Sequence, residues 1–390
     1  MKAHDSFQRT ARRATMLVIA ASLVACGGGY SSGGSSYSPP PMQPQPVSGS
    51  VFATLGTMTT IGSTLDPTEH GGNPYGLTIA PVTAGLVTAG DLVVCNFNDG
   101  ATNTQGLGTT VVGLHPVKGA APYRIAQSSQ LLGCSAVTAL PDSSIVATAS
   151  QANSTVLVSP TGAVSSPFSA NPSAEPWGAI TSAYHGTQLL FVSNAANGTV
   201  DRITMSGDTQ TSFTEIAAGF SVNRGAPGSI SAPAGLTYDA SIDTLYVVDT
   251  NSNRVVALAG ASAIGKDGVM VSGSSFTGAS ASSARVIASG APLNGPISSA
   301  LLANGNLVVG NTLDANGTNL LVEVSPSKGV VATKNVDTGA AGAIFGIVAV
   351  PATITVTTSN GYNGSTTMSV ISNVIYFNDD NTNTVVAWSQ

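Results

Sequence analysis

The chain has 390 residues, of which 42% are hydrophobic and only 8% charged, with 44 glycines and a formal net charge of −6. Such a composition leans on turns and short strands, and a mildly acidic surface with no basic stripe excludes nucleic acid as a natural partner. H-E-x-x-H, C-x-x-C-H, G-x-S-x-G and phosphate-loop patterns are all missing, so no catalytic motif is legible.

Residues 1–25 read as an export signal. Arg9, Arg12 and Arg13 form a positive n-region, and residues 16–24 form an apolar core too short to span a bilayer as a helix. Leu23, Val24, Ala25 and Cys26, followed by Gly27, resemble the lipobox of bacterial lipoproteins. The resemblance implies that Cys26 is diacylated and becomes the mature N-terminus, tied to the membrane by its lipid. Gly27 in place of Asp implies the outer membrane, on its periplasmic side or at the cell surface. Arg12-Arg13 leaves the twin-arginine route open beside the general one, although Thr15 departs from the usual pattern. Residues 26–50 are then Gly/Ser-rich and, from Pro39 to Pro46, proline-rich, the composition of a disordered tether.

Residues 51–55 read as a strand. Beyond them, one pattern recurs. Residues 233–258 hold three short strands, 235–238, 245–248 and 254–258, separated by turns rich in Asp, Asn and Ser, which is a β-meander. Residues 373–388 superimpose on 243–258 without a gap, placing Asp379 on Asp249, and residues 189–203 place Asn194 there. Weaker copies carry Asn96, Ala149 and Asn311 at that position. A fourth apolar segment follows five of the meanders, at 123–126, 167–169, 213–216, 285–288 and 333–336. The sixth meander ends at Gln390 without one, whereas 51–55 has no meander before it. Joining the two predicts an all-β, six-bladed β-propeller of four-stranded blades over residues 51–390, a monomer closed by an N-terminal outer strand in the last blade.

Three repeats share a lead-in: Pro74-Tyr75-Gly76-Leu77, Pro176-Trp177-Gly178-Ala179 and Pro233-Ala234-Gly235-Leu236. Proline sets the approach, and glycine lets inner strands pack tightly about the axis. Together with Leu245-Tyr246-Val247-Val248-Asp249 and Asn253-Arg254-Val255, these residues resemble the NHL-repeat propellers, whose members have many functions. The resemblance implies a fold and little more.

The start of an inner strand and the end of the second strand emerge on one face. That face carries the column Asn96, Asn194, Asp249, Asn311 and Asp379 and the loops 96–108, 217–232 and 311–319, and with the channel mouth it is the candidate binding site. The column reads best as Asx caps of tight turns, since a ring of ligands round one ion would have to face the axis. Tyr75, Trp177 and Phe345 either line a binding surface or plug the channel. Glu175 and Arg224, in so charge-poor a chain, either meet a polar ligand or stand as solvated rim charges. Cys95 and Cys134 form a disulfide if their Cα atoms come within about 7 Å, and otherwise stay as buried thiols. The leading expectation is a non-catalytic binding or scaffolding module in the envelope, for a protein, peptide or glycan, with no cofactor identified. The alternative is a metal-dependent hydrolase or lyase at the channel mouth, similar to propeller lactonases, with calcium as its ion and Glu175 the one carboxylate near the expected level.

Overall fold

A computed structural model describes residues 44–168, 174–225, 227–228, 231–313, 318–359 and 365–390. The export signal, Cys26 and the tether up to residue 43 lie outside the described residues, as do Ser169 and parts of the loops 217–232 and 311–319.

Second strands such as Leu92–Asn98 and Thr244–Asp249 are buried at every position, so their sequences read as continuous apolar runs that end in Asn or Asp. That pattern follows from a sheet covered on both faces by other sheets. The described strands fall into six sheets, in each of which an inner strand leads an antiparallel run. Sheet 1 runs Gly72–Ile79, Leu92–Asn98, Gln105–Leu114, Tyr123–Gln127; sheet 2 runs Cys134–Ala139, Ile145–Ala149, Ser154–Val158, Val164–Ser165. Sheet 3 runs Pro176–Tyr184, Thr187–Asn194, Thr199–Ser206, Thr209–Ala218; sheet 4 runs Pro233–Asp239, Thr244–Asp249, Arg254–Ala259, Ala284–Ser289. Sheet 5 runs Pro296–Leu301, Leu307–Asn311, Asn319–Ser325, Gly329–Asp337, and sheet 6 runs Ile344–Ser359, Ser365–Asp379, Thr384–Ser389. Each inner strand packs on the next, and that of sheet 6 packs on that of sheet 1. Apolar clusters fill the seams between neighbouring sheets: Phe191 and Val200 meet Leu236 and Val247 between sheets 3 and 4, and Val94 and Val112 meet Val385 between sheets 1 and 6. The result is an all-β, propeller-like molecule.

The N-terminal segment departs from expectation. Residues 51–55 are not a strand: Phe52–Thr54 form one 3-10 turn, and the strand that pairs with Thr384–Ser389 is Thr57–Ser63, with Thr57 opposite Ser389 and Ser63 opposite Thr384. The reason is a tertiary contact: Val51 and Phe52 are both buried, and their N–H groups turn to one distant acceptor instead of pairing with a strand. The buried Glu323 carboxylate accepts from the Val51 and Phe52 N–H groups at 2.9 and 3.0 Å, and Asn306 Nδ2 donates to it at 2.7 Å. Ahead of that turn, Gln45–Pro46 run parallel to Val370 and Ile371 of sheet 6.

Three further differences concern strands. The fourth strand of sheet 2 is Val164–Ser165, upstream of the expected 167–169. A hairpin, Val269–Ser272 and Ser275–Thr277, inserted between the last two strands of sheet 4, adds to sheet 3, with Val269 opposite Ala217. In sheet 6 the first two strands continue as a hairpin of 16 and 15 residues, well beyond the meander.

Candidate functional site: the axial cavity and its aromatic plug

All six inner strands carry a β-bulge at their start, where the ladder slips at Tyr75, Ser135, Trp177, Ala234–Gly235, Ile297 and Phe345–Gly346. A bulge re-aims the extra side chain. Here Tyr75, Trp177, Ala234, Ile297 and Phe345 turn into one cluster with Phe97 of sheet 1, Ala195 of sheet 3 and Ala232. Tyr75 stacks between Phe97 and Phe345, at centroid separations of 4.3 and 4.0 Å, and Trp177 meets Tyr75 edge-on at 5.6 Å. These rings close the axis. Tyr75, Trp177 and Phe345 are only 4, 4 and 6% exposed, so they form a plug and not a solvent-facing binding surface. Burial, with a smaller push from the Asp380 charge, raises the Tyr75 hydroxyl above its ordinary pKa.

The residue after the bulge is where the glycine matters. A Cβ on Gly178 would lie 2.1 Å from the Ala234 carbonyl oxygen, and one on Gly76 would lie 2.6 Å from Val137 N. Side chains of the second strands lock these close approaches. Ser193 Oγ donates to Ala234 O at 2.6 Å and accepts from Gly178 N at 2.9 Å; Thr148 Oγ1 donates to Trp177 O at 3.2 Å. Asn378 Nδ2 donates to the Pro74 and Gly76 carbonyls at 3.1 Å, tying sheet 6 to sheet 1.

Behind the plug lies a cavity of about 290 Å³, bounded by all six inner strands. Leu77, Val137, Ile180, Leu236 and Ile347 supply apolar wall, and Thr138, Thr237 and Ser299 supply hydroxyls. Not one lining residue carries a formal charge. The inner strands are buried at Tyr75, Trp177 and Phe345 and become partly exposed toward Ile79, Ser182 and Ala349, so the cavity opens at their far ends, opposite the face expected from the sequence. The hydroxyl walls went unnoticed in the sequence; their signal is the Ser or Thr two to three places after the bulge.

The other candidates lie elsewhere. Glu175, half-buried beside the plug with a left-handed φ of 54°, accepts from Asn223 Nδ2 at 2.7 Å; burial raises its pKa and that hydrogen bond opposes the rise. Arg224 is exposed next to Asn223. The five column residues are all buried, and none lines the cavity. Asn96 Nδ2 donates to Thr64 O and Thr110 Oγ1, Asn194 Nδ2 to Thr199 Oγ1 and Asp201 Oδ2, and Asn311 Nδ2 to Pro292 O. Asp249 pairs with Arg254 across its turn at 2.8 Å, and Asp379 accepts from Thr382 Oγ1 at 3.0 Å. Next to it Asp380 has its pKa raised to about 6, by burial first and then by the Asp379 charge. Cys95 and Cys134 meet across the seam between sheets 1 and 2, but as free thiols and not as a disulfide. Both are fully enclosed, and burial, then the hydrogen bond with Cys95, pushes the Cys134 thiol well up, which holds Cys134 protonated and unreactive.

No protein-family model matches the sequence, and no curated protein matches it. Solved structures similar in fold include a gluconolactonase from Xanthomonas campestris, 11% identical with a TM-score of 0.54, over 89% of this chain and 94% of that one. An auxiliary nutrient binding protein from Bacteroides thetaiotaomicron is 10% identical with a TM-score of 0.51, over 85% of this chain and 76% of that one. A virginiamycin B lyase from Staphylococcus aureus is 12% identical with a TM-score of 0.47, over 86% of this chain and 99% of that one. At such identities the likeness to the first two is one of architecture alone, and it agrees with the propeller-like β fold.

Proposed function

We propose that the chain is a lipoprotein of the bacterial envelope, anchored through Cys26 in the outer membrane, whose NHL-like ring of six blades, closed by Thr57–Ser63, is a binding module. The observation that carries this reading is the axial cavity. It is closed at one end by rings, open at the other, and lined by aliphatic and hydroxyl side chains without a carboxylate, imidazole, ammonium or guanidinium. A pocket of that kind can enclose a small molecule but holds no group with a pKa suited to proton transfer near neutrality. The module therefore captures a small ligand, alone or as part of a larger envelope partner, at the mouth opposite the plug.

The fold likeness to a gluconolactonase favours the alternative, a metal-dependent hydrolase or lyase. Calcium would need several oxygen ligands at about 2.3–2.6 Å from one point near the axis. The plug end offers Tyr75, Trp177, Ala234, Ile297 and Phe345 instead, and among the described residues no three His, Cys, Asp or Glu side chains are grouped to hold a metal ion. The residues present do not fit the ion.

Two experiments test the proposal. Palmitate labelling and membrane fractionation of Cys26→Ala should show loss of lipid and release from the membrane; a variant that stays anchored refutes the lipoprotein. Native mass spectrometry of protein taken from envelopes should show a small molecule retained by the wild type and lost from Ala349→Trp, which narrows the mouth. Calcium-dependent hydrolysis of lactones by the purified protein would decide for the alternative.

A further inference from the structure

The cavity restricts the chemistry of its occupant, an inference that rests on the binding reading above. We infer that the ligand is an uncharged, largely apolar molecule of about two fused rings that presents one oxygen acceptor to the Thr237–Ser299 hydroxyl pair.

Size comes first. An apolar cavity of about 150 Å³ takes one benzene ring, so a space of about 290 Å³ takes roughly twice that, on the order of twelve non-hydrogen atoms. Charge comes next. A carboxylate or ammonium entering an uncharged site gives up its hydration and meets no counter-ion, a cost of several kcal/mol that translates into at least a hundredfold weaker binding than for a neutral isostere.

Proton bookkeeping at the wall hydroxyls then narrows the polar contact: Ser135 and Tyr238 donate to Pro176 O and Asp243 Oδ1 and Ser298 Oγ is enclosed by protein, which leaves Thr78 and two hydroxyl pairs that bridge neighbouring inner strands. Thr181 Oγ1 donates to Ala139 O at 2.7 Å, so the bond it shares with Thr138 Oγ1 at 2.9 Å is donated by Thr138. Thr138 also accepts from Thr181 N at 3.0 Å, and the pair has no proton left over. Thr237 Oγ1 and Ser299 Oγ share one hydrogen bond at 2.7 Å and meet no other hydrogen-bond partner among the described residues, so one of their two protons remains to be donated. Both residues line the cavity and are at least nine-tenths buried, at 5 and 9% exposure. A ligand hydroxyl or carbonyl oxygen satisfies that donor; a hydrocarbon leaves it unmatched.

The test is calorimetric titration of the full-length protein with naphthalene, naphthol and naphthoate, which share one ring system and differ in polarity and charge. Naphthol should bind about tenfold more tightly than naphthalene and at least a hundredfold more tightly than naphthoate. Thr237→Val with Ser299→Ala should erase the preference for naphthol over naphthalene while naphthalene binding persists, which also shows that the variant folds. Ala136→Phe, which fills the cavity, should abolish binding of both. Naphthoate binding as tightly as naphthol, or a preference that survives the double substitution, overturns the inference and leaves the binding reading standing. No heat with any of the neutral probes overturns both.

Discussion

Replacing Gly178 by alanine tests the geometry that brings the inner strands together. The new Cβ would sit 2.1 Å from Ala234 O and 2.9 Å from Ser193 Oγ. An ordinary carbon–oxygen contact is about 3.3 Å, so sheets 3 and 4 must part by roughly 1 Å at the axis. That movement breaks the Ser193–Ala234 hydrogen bond across the seam, whose buried partners cost about 1–3 kcal/mol when left unmatched. With overpacking of about 1–3 kcal/mol, the expected loss is roughly 2–6 kcal/mol, a large fraction of the stability of a typical domain. Urea unfolding followed by circular dichroism measures it. Gly56→Ala, where nothing lies within 4 Å and φ is not left-handed, should change stability by less than about 0.5 kcal/mol. Gly186→Ala, in open space at φ +80°, should lose about 1 kcal/mol from backbone strain alone. A Gly178→Ala midpoint within error of Gly56→Ala would refute the close approach and, with it, the bulge-and-plug account.

Other predictions follow from the same geometry. The Asp380 pKa is raised in the folded state to about 6 against an ordinary value of 3.8, so folding is favoured while the group is protonated and stability falls as pH rises from about 4 to 6. Asp380→Asn should therefore stabilise the protein by about 1–2 kcal/mol at pH 7 and by nothing at pH 4; an equal effect at both pH values would contradict the shift. Glu323→Ala leaves the Val51 and Phe52 N–H groups and Asn306 Nδ2 without their acceptor, so the 44–56 segment should become cleavable by protease at least tenfold faster, with the sheets intact. Cys95 and Cys134 should both react with a thiol alkylator once the protein is denatured without reductant, and neither should react while it is folded; a mass two hydrogens lighter would show a disulfide instead. Tyr75→Ala should cost about 3–5 kcal/mol and open the axis from end to end, read as loss of ligand retention.

Much of this architecture is local and therefore readable. β-Branched and aromatic runs between turns of Asp, Asn and Ser mark the meander at 235–258, and its gapless copy at 373–388 marks the repeat, because both follow from hydrogen bonds between near neighbours in the chain. The glycine of Pro-x-Gly is readable for the same reason: only a residue without Cβ lets two backbones approach as Gly178 and Ala234 do. The slip of one residue at each bulge is not local. In sheets 2, 5 and 6 it occurs without the Pro-x-Gly signature, and it is what sends Tyr75, Trp177 and Phe345 into one plug and moves the open mouth to the opposite end.

By itself the amino-acid sequence determined that the chain is all-β, repeating, charge-poor and built round glycine-led inner strands, since these depend on side-chain period and turn chemistry. Only the tertiary structure decided that 51–55 is an anchor held by Glu323, 272 residues away, that Thr57–Ser63 takes the strand position, and that hydroxyls rather than carboxylates face the cavity. The physical reason is that each of these depends on which distant backbone group a side chain meets across a seam, and no periodicity along the chain encodes that pairing.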